Sequence, residues 1–253
     1  MTNRREEAVC ASPGGDPRPG EAADAPTISV VVPVLNETGT LAPSLQCLQA
    51  LRGRGHEVIV VDGGSSDDSM QEAAPLADRV LQVASGRARQ MHAGALAAGG
   101  NVLWFLHADT LAPADADHQI QDALADGQGS WGWFDVRLAE SRGLLACVAW
   151  LMNRRARLTG IATGDQGIFV QRTAYEQAGG FPRIPLMEDI ALCRRLKRLA
   201  RPVRIAAPLH GSARRWEKHG VVRTILTMWS LRLGYFLGVN PRYLARFYAV
   251  HRP

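Results

Sequence analysis

The chain has 253 residues, 46% of them apolar, and a net charge of +5; this composition fits a globular protein with a core, one large α/β domain or two small ones. From Arg194 onward there are 14 Lys and Arg against one acid, Glu217, a local balance of +13, which leaves 15 basic and 23 acidic residues before it. That asymmetry fits an anionic partner for the C-terminal part, or a solvated basic face. Cysteines 10, 47, 147 and 193 form no C-x-x-C pair, so neither a zinc site nor a disulfide framework is signalled, and a reduced cytoplasmic setting is expected.

Residues 1–26 are rich in Pro, Gly, Ala and acids and lack an apolar run; they read as a disordered tail without a secretory signal. ISVVVPVL (28–35) is a short, β-branched apolar run, the mark of a strand buried on both faces. A helical pattern follows over about 39–52, then a strand EVIVVD (57–62), a helix over DDSMQEAAPLA, a strand RVLQV (79–83), a helix over 86–99 and a strand NVLWFL (101–106). A helix beginning at Pro113 comes next. Strand and helix alternating in units of this length predict a mostly parallel sheet flanked by helices, with ligands bound outside the carboxyl ends of the strands.

The second half is less regular. GSWGWFDVRL (129–138), DQGIFVQ (165–171) and VRIA (203–206) read as strands; 143–158 and 188–199 read as helices. Segment 221–239 carries Arg223 and Arg232 among aromatic and aliphatic residues. It is either a helix packed on the domain or one lying at a membrane interface, the two arginines being costly in a full span.

The strand ends carry polar groups. Pro33, Asn36 and Glu37 follow the first strand; Asp62, Gly63, Gly64, Ser65, Ser66 and Asp67 follow the second. Glycines let the backbone approach a ligand, and Ser66 or Asp67 can cap the next helix. Arg87 and Arg89 open a helix where the dipole disfavours bases, which makes sense beside an anion. His107 and Asp109 end the fourth strand, two residues apart. Carboxylate, imidazole and arginines at converging strand ends suit a metal-chelated diphosphate.

VVVPVLNE, VIVVDGGSSDDS, WFLHADT, GDQGIFV and MED together resemble the family-2 glycosyltransferases of GT-A fold, in order and spacing over about residues 28–217. HADT, TGDQGIFV and SARRWEKHG resemble the radical-SAM/selenium-domain-associated transferase 2 subgroup. The resemblance implies an inverting glycosyltransferase that takes a sugar from a nucleoside diphosphate sugar, UDP favoured, to an unknown acceptor. It implies that Pro33, Asn36, Glu37, Asp62, Gly63, Ser65, Arg87, Arg89 and Asp109 bind the nucleotide sugar. Asp109 stands for the last Asp of the family's D-x-D metal motif and His107 for the first; histidine suits Mn²⁺ better than Mg²⁺. Asp189 matches the general base. Gly164, Asp165, Gln166, Glu188, Arg215 and Trp216 border the acceptor site. Arg215 and Trp216 resemble the end of a Q-x-x-R-W motif, but Ser212 replaces its Gln, against processive synthesis. His210 and His219 are candidates for a third metal ligand.

The expected organisation is a tail (1–26), a GT-A domain (27–217) and a basic helical segment (218–253), in a cytoplasmic protein that could sit peripherally at the inner membrane face. The basic segment could hold a lipid-linked acceptor or an anionic membrane surface; no motif supports nucleic-acid binding. A haloacid-dehalogenase-like phosphatase fails because His107 occupies the nucleophile position, and a dinucleotide-binding dehydrogenase fails for want of G-x-G-x-x-G. A degenerate nucleotide- or membrane-binding protein of the same fold is the alternative.

Overall fold

The structure is a computed structural model that describes residues 27–125, 127, 129–138, 143–214, 216 and 220–250, the side chains of 249 and 250 excepted. Strand β1 (Ile28–Val34) is buried along nearly its whole length. It lies between β2 (Glu57–Asp62) and β4 (Val102–Phe105), parallel to both. β3 (Arg79–Gln82) extends the parallel set beyond β2. In register Val34 faces Asp62, so the loops after β1 and β2 leave the sheet side by side, with the loop after β4 close to them.

Side-chain alternation divides the core. Val30, Val32, Val58 and Trp104 face one side, with Leu41 and Leu45 of α1 (Leu41–Cys47), Leu51 of α2 (Gln49–Gly53) and Ile120 of α5 (Ala116–Ala125). Val31, Ile59, Val61 and Phe105 face the other, with Met91 and Ala95 of α4 (Arg87–Ala97) and Leu192 and Cys193 of α8 (Glu188–Leu196). Each such fully buried aliphatic or aromatic side chain contributes about 1.5–3 kcal/mol against exposure.

The sheet has eight strands in the order β3-β2-β1-β4-β7-β6-β8-β5. β6 (Trp131–Leu138) and β8 (Val203–Gly211) are mutually parallel. β7 (Phe169–Gln171) is antiparallel to both β4 and β6, and β5 (Thr110–Leu111) is antiparallel to β8. The mostly parallel α/β architecture expected from the sequence is present.

Several boundaries differ. The helix expected over 39–52 breaks at Leu48 into α1 and α2, and the one expected over DDSMQEAAPLA is the short α3 (Ser69–Ala73). The expected strand 165–171 begins only at Phe169, because Gly164–Gln166 is a 3-10 turn closed by a reciprocal Thr163–Gln166 capping box. The last strand runs to Gly211 rather than 206. β5 and α7 (Arg172–Gln177) are additions, while α10 (Pro241–Val250) falls within the segment 218–253 expected to be helical. α6 (Leu144–Thr159) and α9 (Val221–Phe236) lie where helical pattern was read. α9 packs Leu231 and Met228 against Met187 and Ile190; no helix among the described residues is long and apolar enough to cross a membrane. Cys147 and Cys193 are free thiols; Cys10 lies outside the described residues.

One buried ionic group ties α5 to the sheet. Asp117 is fully buried and accepts from Arg54 Nε (2.5 Å) and Nη2 (2.8 Å); His56 Nε2 lies 3.2 Å away. His56 Nδ1 accepts the Ile28 N–H (3.2 Å), which leaves Nε2 as the donor. Burial pushes the Asp117 carboxyl up, and the His56 and Arg54 hydrogen bonds outweigh it, holding it well below the carboxylate range. A lowered folded pKa stabilises above the unfolded value and the contribution is lost as pH falls. Asp117→Ala is expected to cost about 3 kcal/mol at neutral pH, the lower end for a broken buried pair because Arg54 keeps access to water. Urea unfolding of the two proteins should differ by that much at neutral pH and converge as pH drops below about 3.9. Equal curves at neutral pH would show that the triad contributes nothing.

Candidate functional site

The loops after β1 and β2 are zipped by their own hydrogen bonds. Asn36 takes a left-handed φ of 55°, tolerated because its short side chain bonds locally. Its N–H donates to Ser65 Oγ (2.9 Å), and its Oδ1 accepts from the Ser66 N–H (2.9 Å). The Glu37 N–H donates to Ser69 Oγ (2.8 Å). Asp62 is fully buried and accepts from the N–H groups of Gly64 (2.9 Å) and Ser65 (3.0 Å) and from Ser65 Oγ (2.5 Å). In this conformation Asp62 therefore shapes the turn and offers no open face to a ligand. Gly63 packs so close to Gln90 that an added Cβ would lie 3.1 Å from its amide.

Beyond these loops lies a polar pocket of about 750 Å³ counting its open mouth, lined by Pro33, Glu37, Arg87, His107, Asp109 and Asp165. Residues from the ends of β1 and β4, the start of α4 and the 3-10 turn thus meet, as the strand-end argument requires. Leu138, Met152 and Trp216 give the lining an apolar part. Arg89 is turned away and reaches back to the Ser85 carbonyl (3.4 Å).

His107 is buried, and its Nδ1 lies 3.1 Å from Asp165 Oδ1; since a carboxylate only accepts, Nδ1 is the donor. Its Nε2 is buried without a partner among the described residues and packs against Gly164, where an added Cβ would come within 2.3 Å. The ring lines the pocket, but in this conformation Nδ1 is engaged by Asp165 and Nε2 is buried, so a cation would meet the carboxylates first. Asp109 and Asp165 do line the pocket. A cation already chelated by a diphosphate needs only one or two protein carboxylates, and this pair fits that demand. Among the described residues no group of three or more His, Cys, Asp or Glu could hold an ion unaided. His210 sits on β8 opposite Leu111, with burial and then Arg137 pushing its pKa down. His219 and Arg215 lie outside the described residues.

Asp189 stands at the start of α8, after Met187 in a left-handed conformation (φ 67°). Such a backbone in a non-glycine residue is held by its surroundings and is common near functional sites. Asp189 Oδ2 accepts the Gly164 N–H (3.0 Å), placing it one hydrogen bond behind the turn whose Asp165 lines the pocket. Glu188 is buried; burial first and then Asp189 raise its carboxyl above the usual range, against the pull of Arg87. Desolvation pulls Arg87 down, but Glu188, Asp165 and Asp189 outweigh it and hold the guanidinium above its ordinary value. Of the two bases expected at this helix start to face an anion, Arg87 already feels protein carboxylates and Arg89 does not face the pocket. Gln166 is fully buried, its Oε1 accepting the Thr163 N–H (3.2 Å); it closes the turn and does not border an open acceptor site.

Sequence reasoning missed Arg214. Its Nη2 lies 3.3 Å from Glu37 Oε2 and 3.9 Å from Asp109 Oδ2, so it bridges two carboxylates that line the pocket, one after β1 and one after β4. The only signal was a second arginine beside Arg215.

Residues 29–160 match the glycosyl transferase family 2 model. The chain is 36% identical over 124 residues to an uncharacterized glycosyltransferase of Mycobacterium tuberculosis, a match covering 45% of this chain and 47% of that protein. The chain thus spans about half the length of the curated relatives it matches. Its fold is similar to that of S. aureus TarS, with TM-score 0.59, 17% identity, 74% of this chain and 60% of the TarS fragment covered. A mannosyltransferase from Pyrobaculum calidifontis, solved with GDP-Man and Mn²⁺, superposes with TM-score 0.55 at 21% identity over 82% of this chain and 62% of its own. These similarities identify the sheet and its flanking helices as a GT-A fold. Because the family match spans more than half of its length, the chain belongs to glycosyl transferase family 2.

Proposed function

We propose that the protein is an inverting glycosyltransferase that moves a sugar from a nucleoside diphosphate sugar, UDP favoured, to an acceptor hydroxyl. Residues 27–217 form its GT-A domain and 218–253 a basic helical segment. The observation that carries the reading is the convergence of Glu37, Arg87, Asp109 and Asp165 in one pocket at the carboxyl ends of the strands. Structures of related fold hold UDP-GlcNAc in TarS and GDP-Man in the Pyrobaculum enzyme, which supports a nucleotide sugar here. The motifs HADT, TGDQGIFV and SARRWEKHG support the radical-SAM/selenium-domain-associated transferase 2 subgroup.

Glu37 and the zipped loops after β1 and β2 would bound the nucleoside. Arg87 and Arg214 would face the diphosphate, their charge stabilising it as it leaves. Asp109, with Asp165 in the same pocket, would hold a divalent cation, Mn²⁺ or Mg²⁺, which when bound would supply further charge stabilisation to the departing diphosphate. The acceptor oxygen attacks the anomeric carbon, the bond from that carbon to the diphosphate breaks, and the hydroxyl proton passes to Asp189. Trp216 and Met152 would form an apolar side of the acceptor site. A second reading has a specific observation in its favour: Asp165, not Asp189, lines the pocket and is oriented by His107, so Asp165 is the alternative base.

Calorimetry with UDP, GDP, dTDP and their sugars tests the donor reading, in Mn²⁺, in Mg²⁺ and in chelator. Cation-dependent binding of one nucleotide, lost in Asp109→Asn, is the expected result. No binding of any nucleotide would leave the likeness to transferases at the level of fold and favour a degenerate member.

A further inference from the structure

α9 is apolar on two sides. Leu231 is buried against the body, while Val222, Leu226, Trp229, Leu233 and Phe236 remain exposed, Trp229 at 66% and Leu226 at 64%. These five recur at intervals of three and four residues, which places them in one stripe along a helix. Singly exposed apolar side chains are ordinary; a continuous stripe that its own fold leaves uncovered is not.

The stripe has neighbours. Val221 and Ile225 at the start of α9 pack with Val148 and Ala149 of α6, and α6 leaves Trp150 and Leu151 exposed. Leu231 packs with Leu244 of α10, and α10 leaves Tyr243 and Phe247 exposed. The Arg154 guanidinium lies 5.3 Å over the Trp150 ring, and that of Arg194 lies 6.0 Å over Phe236.

The charge is of one sign. α6, α9 and α10 together carry seven arginines and no acid. Arg154, Arg223, Arg242 and Arg246 are exposed. A second copy of this chain meeting the same face would set these like charges against each other. An occupant that is apolar inside and anionic outside matches both properties, and tryptophan, tyrosine and arginine are the side chains that settle at such a boundary.

We propose that the open face of α6, α9 and α10 docks on an anionic lipid bilayer, which presents a lipid-anchored acceptor to the pocket. The link to the pocket is physical. Leu138, Met152 and Trp216, the apolar part of its lining, belong to the same cluster through which α6 and α9 pack together. An acceptor with an apolar anchor would therefore meet apolar surface from bilayer to pocket, and polar surface only at the diphosphate end. The acceptor part rests on the transferase reading; the docking part does not.

The test is flotation of the full chain with vesicles of phosphatidylcholine alone, or with phosphatidylglycerol added, and without any donor sugar. Binding is expected to the anionic vesicles only. It should weaken by about fivefold for each of Arg223, Arg242 and Arg246 changed to Gln. It should also weaken when salt rises from about 0.1 to about 1 M, which shortens the screening length from about 10 to about 3 Å. The triple variant L226Q/W229Q/L233Q should lose it while keeping its thermal midpoint and its nucleotide binding, because all three side chains are exposed. No vesicle binding by the wild type, or binding the triple variant retains, would overturn the proposal. Sedimentation velocity on the same proteins covers the other occupant: a wild-type dimer that the triple variant dissolves, without vesicle binding, would make the face a self-association surface. Nucleotide binding without vesicle binding would sink the docking alone; the reverse would sink only the transferase reading.

Discussion

Asp189→Asn is expected to lower sugar transfer by about 10²–10⁴-fold while nucleotide binding stays unchanged. The substitution removes the proton acceptor and keeps the shape. Asparagine Oδ1 can still accept the Gly164 N–H that Asp189 Oδ2 now holds at 3.0 Å, so the turn that carries Asp165 should stay in place. The loss should therefore fall on turnover rather than on donor affinity. Steady-state transfer measured beside calorimetry separates the two. Asp165→Asn is the comparison that decides between the two bases. Asp165 lines the pocket and bonds His107, so its loss should weaken donor binding as well as turnover. Full activity in Asp189→Asn together with a dead Asp165→Asn would transfer the base to the residue that faces the pocket.

The parallel half of the fold was legible because strands buried on both faces spell themselves as unbroken apolar runs. β1, β2 and β4 are such runs, and their polar ends marked Glu37, His107 and Asp109 without any contact information. Legibility declined where pairing is not local. β7 has three residues and lies between β4 and β6 as an antiparallel strand; no period can be read from so few residues. DQGIFVQ looked like one strand because a capped 3-10 turn and a strand of opposite role share its letters. Asp62 looked like a ligand at a strand tip, yet its lone pairs are filled by the turn that follows it. An aspartate two or three residues before glycine and serine N–H groups can satisfy itself, and sequence does not separate that use from ligand binding. Arg214 was hidden for another reason. Its neighbours Glu37 and Asp109 are 177 and 105 positions away, and only the tertiary fold brings them together. α9 gave two readings, packed or interfacial. The structure shows why the pattern held both: the helix has one apolar side against Met187 and Ile190 and another uncovered.

Gly164→Ala should reduce transfer by on the order of 10²-fold, the cost of moving reacting groups by about an ångström. A Cβ on Gly164 would stand 2.3 Å from His107 Nε2 and 2.9 Å from its Cε1, closer than real contacts allow. A flexible side chain would swing aside, but this ring is buried and tied through Nδ1 to Asp165 at 3.1 Å. Either the ring moves and releases Asp165, or the turn moves and breaks the Gly164 N–H bond to Asp189. Each outcome disturbs one of the two carboxylates between which the base assignment is drawn, Asp165 or Asp189, so the same methyl group tests their shared support. The clash predicts its own rescue. In a His107→Ala background the methyl has room, and the double variant should show little further loss beyond His107→Ala alone, a large coupling in a double-mutant cycle. Additive losses would mean that the ring and the glycine act separately. An active Gly164→Ala would mean that the His107–Asp165 pair tolerates displacement and does not orient the site.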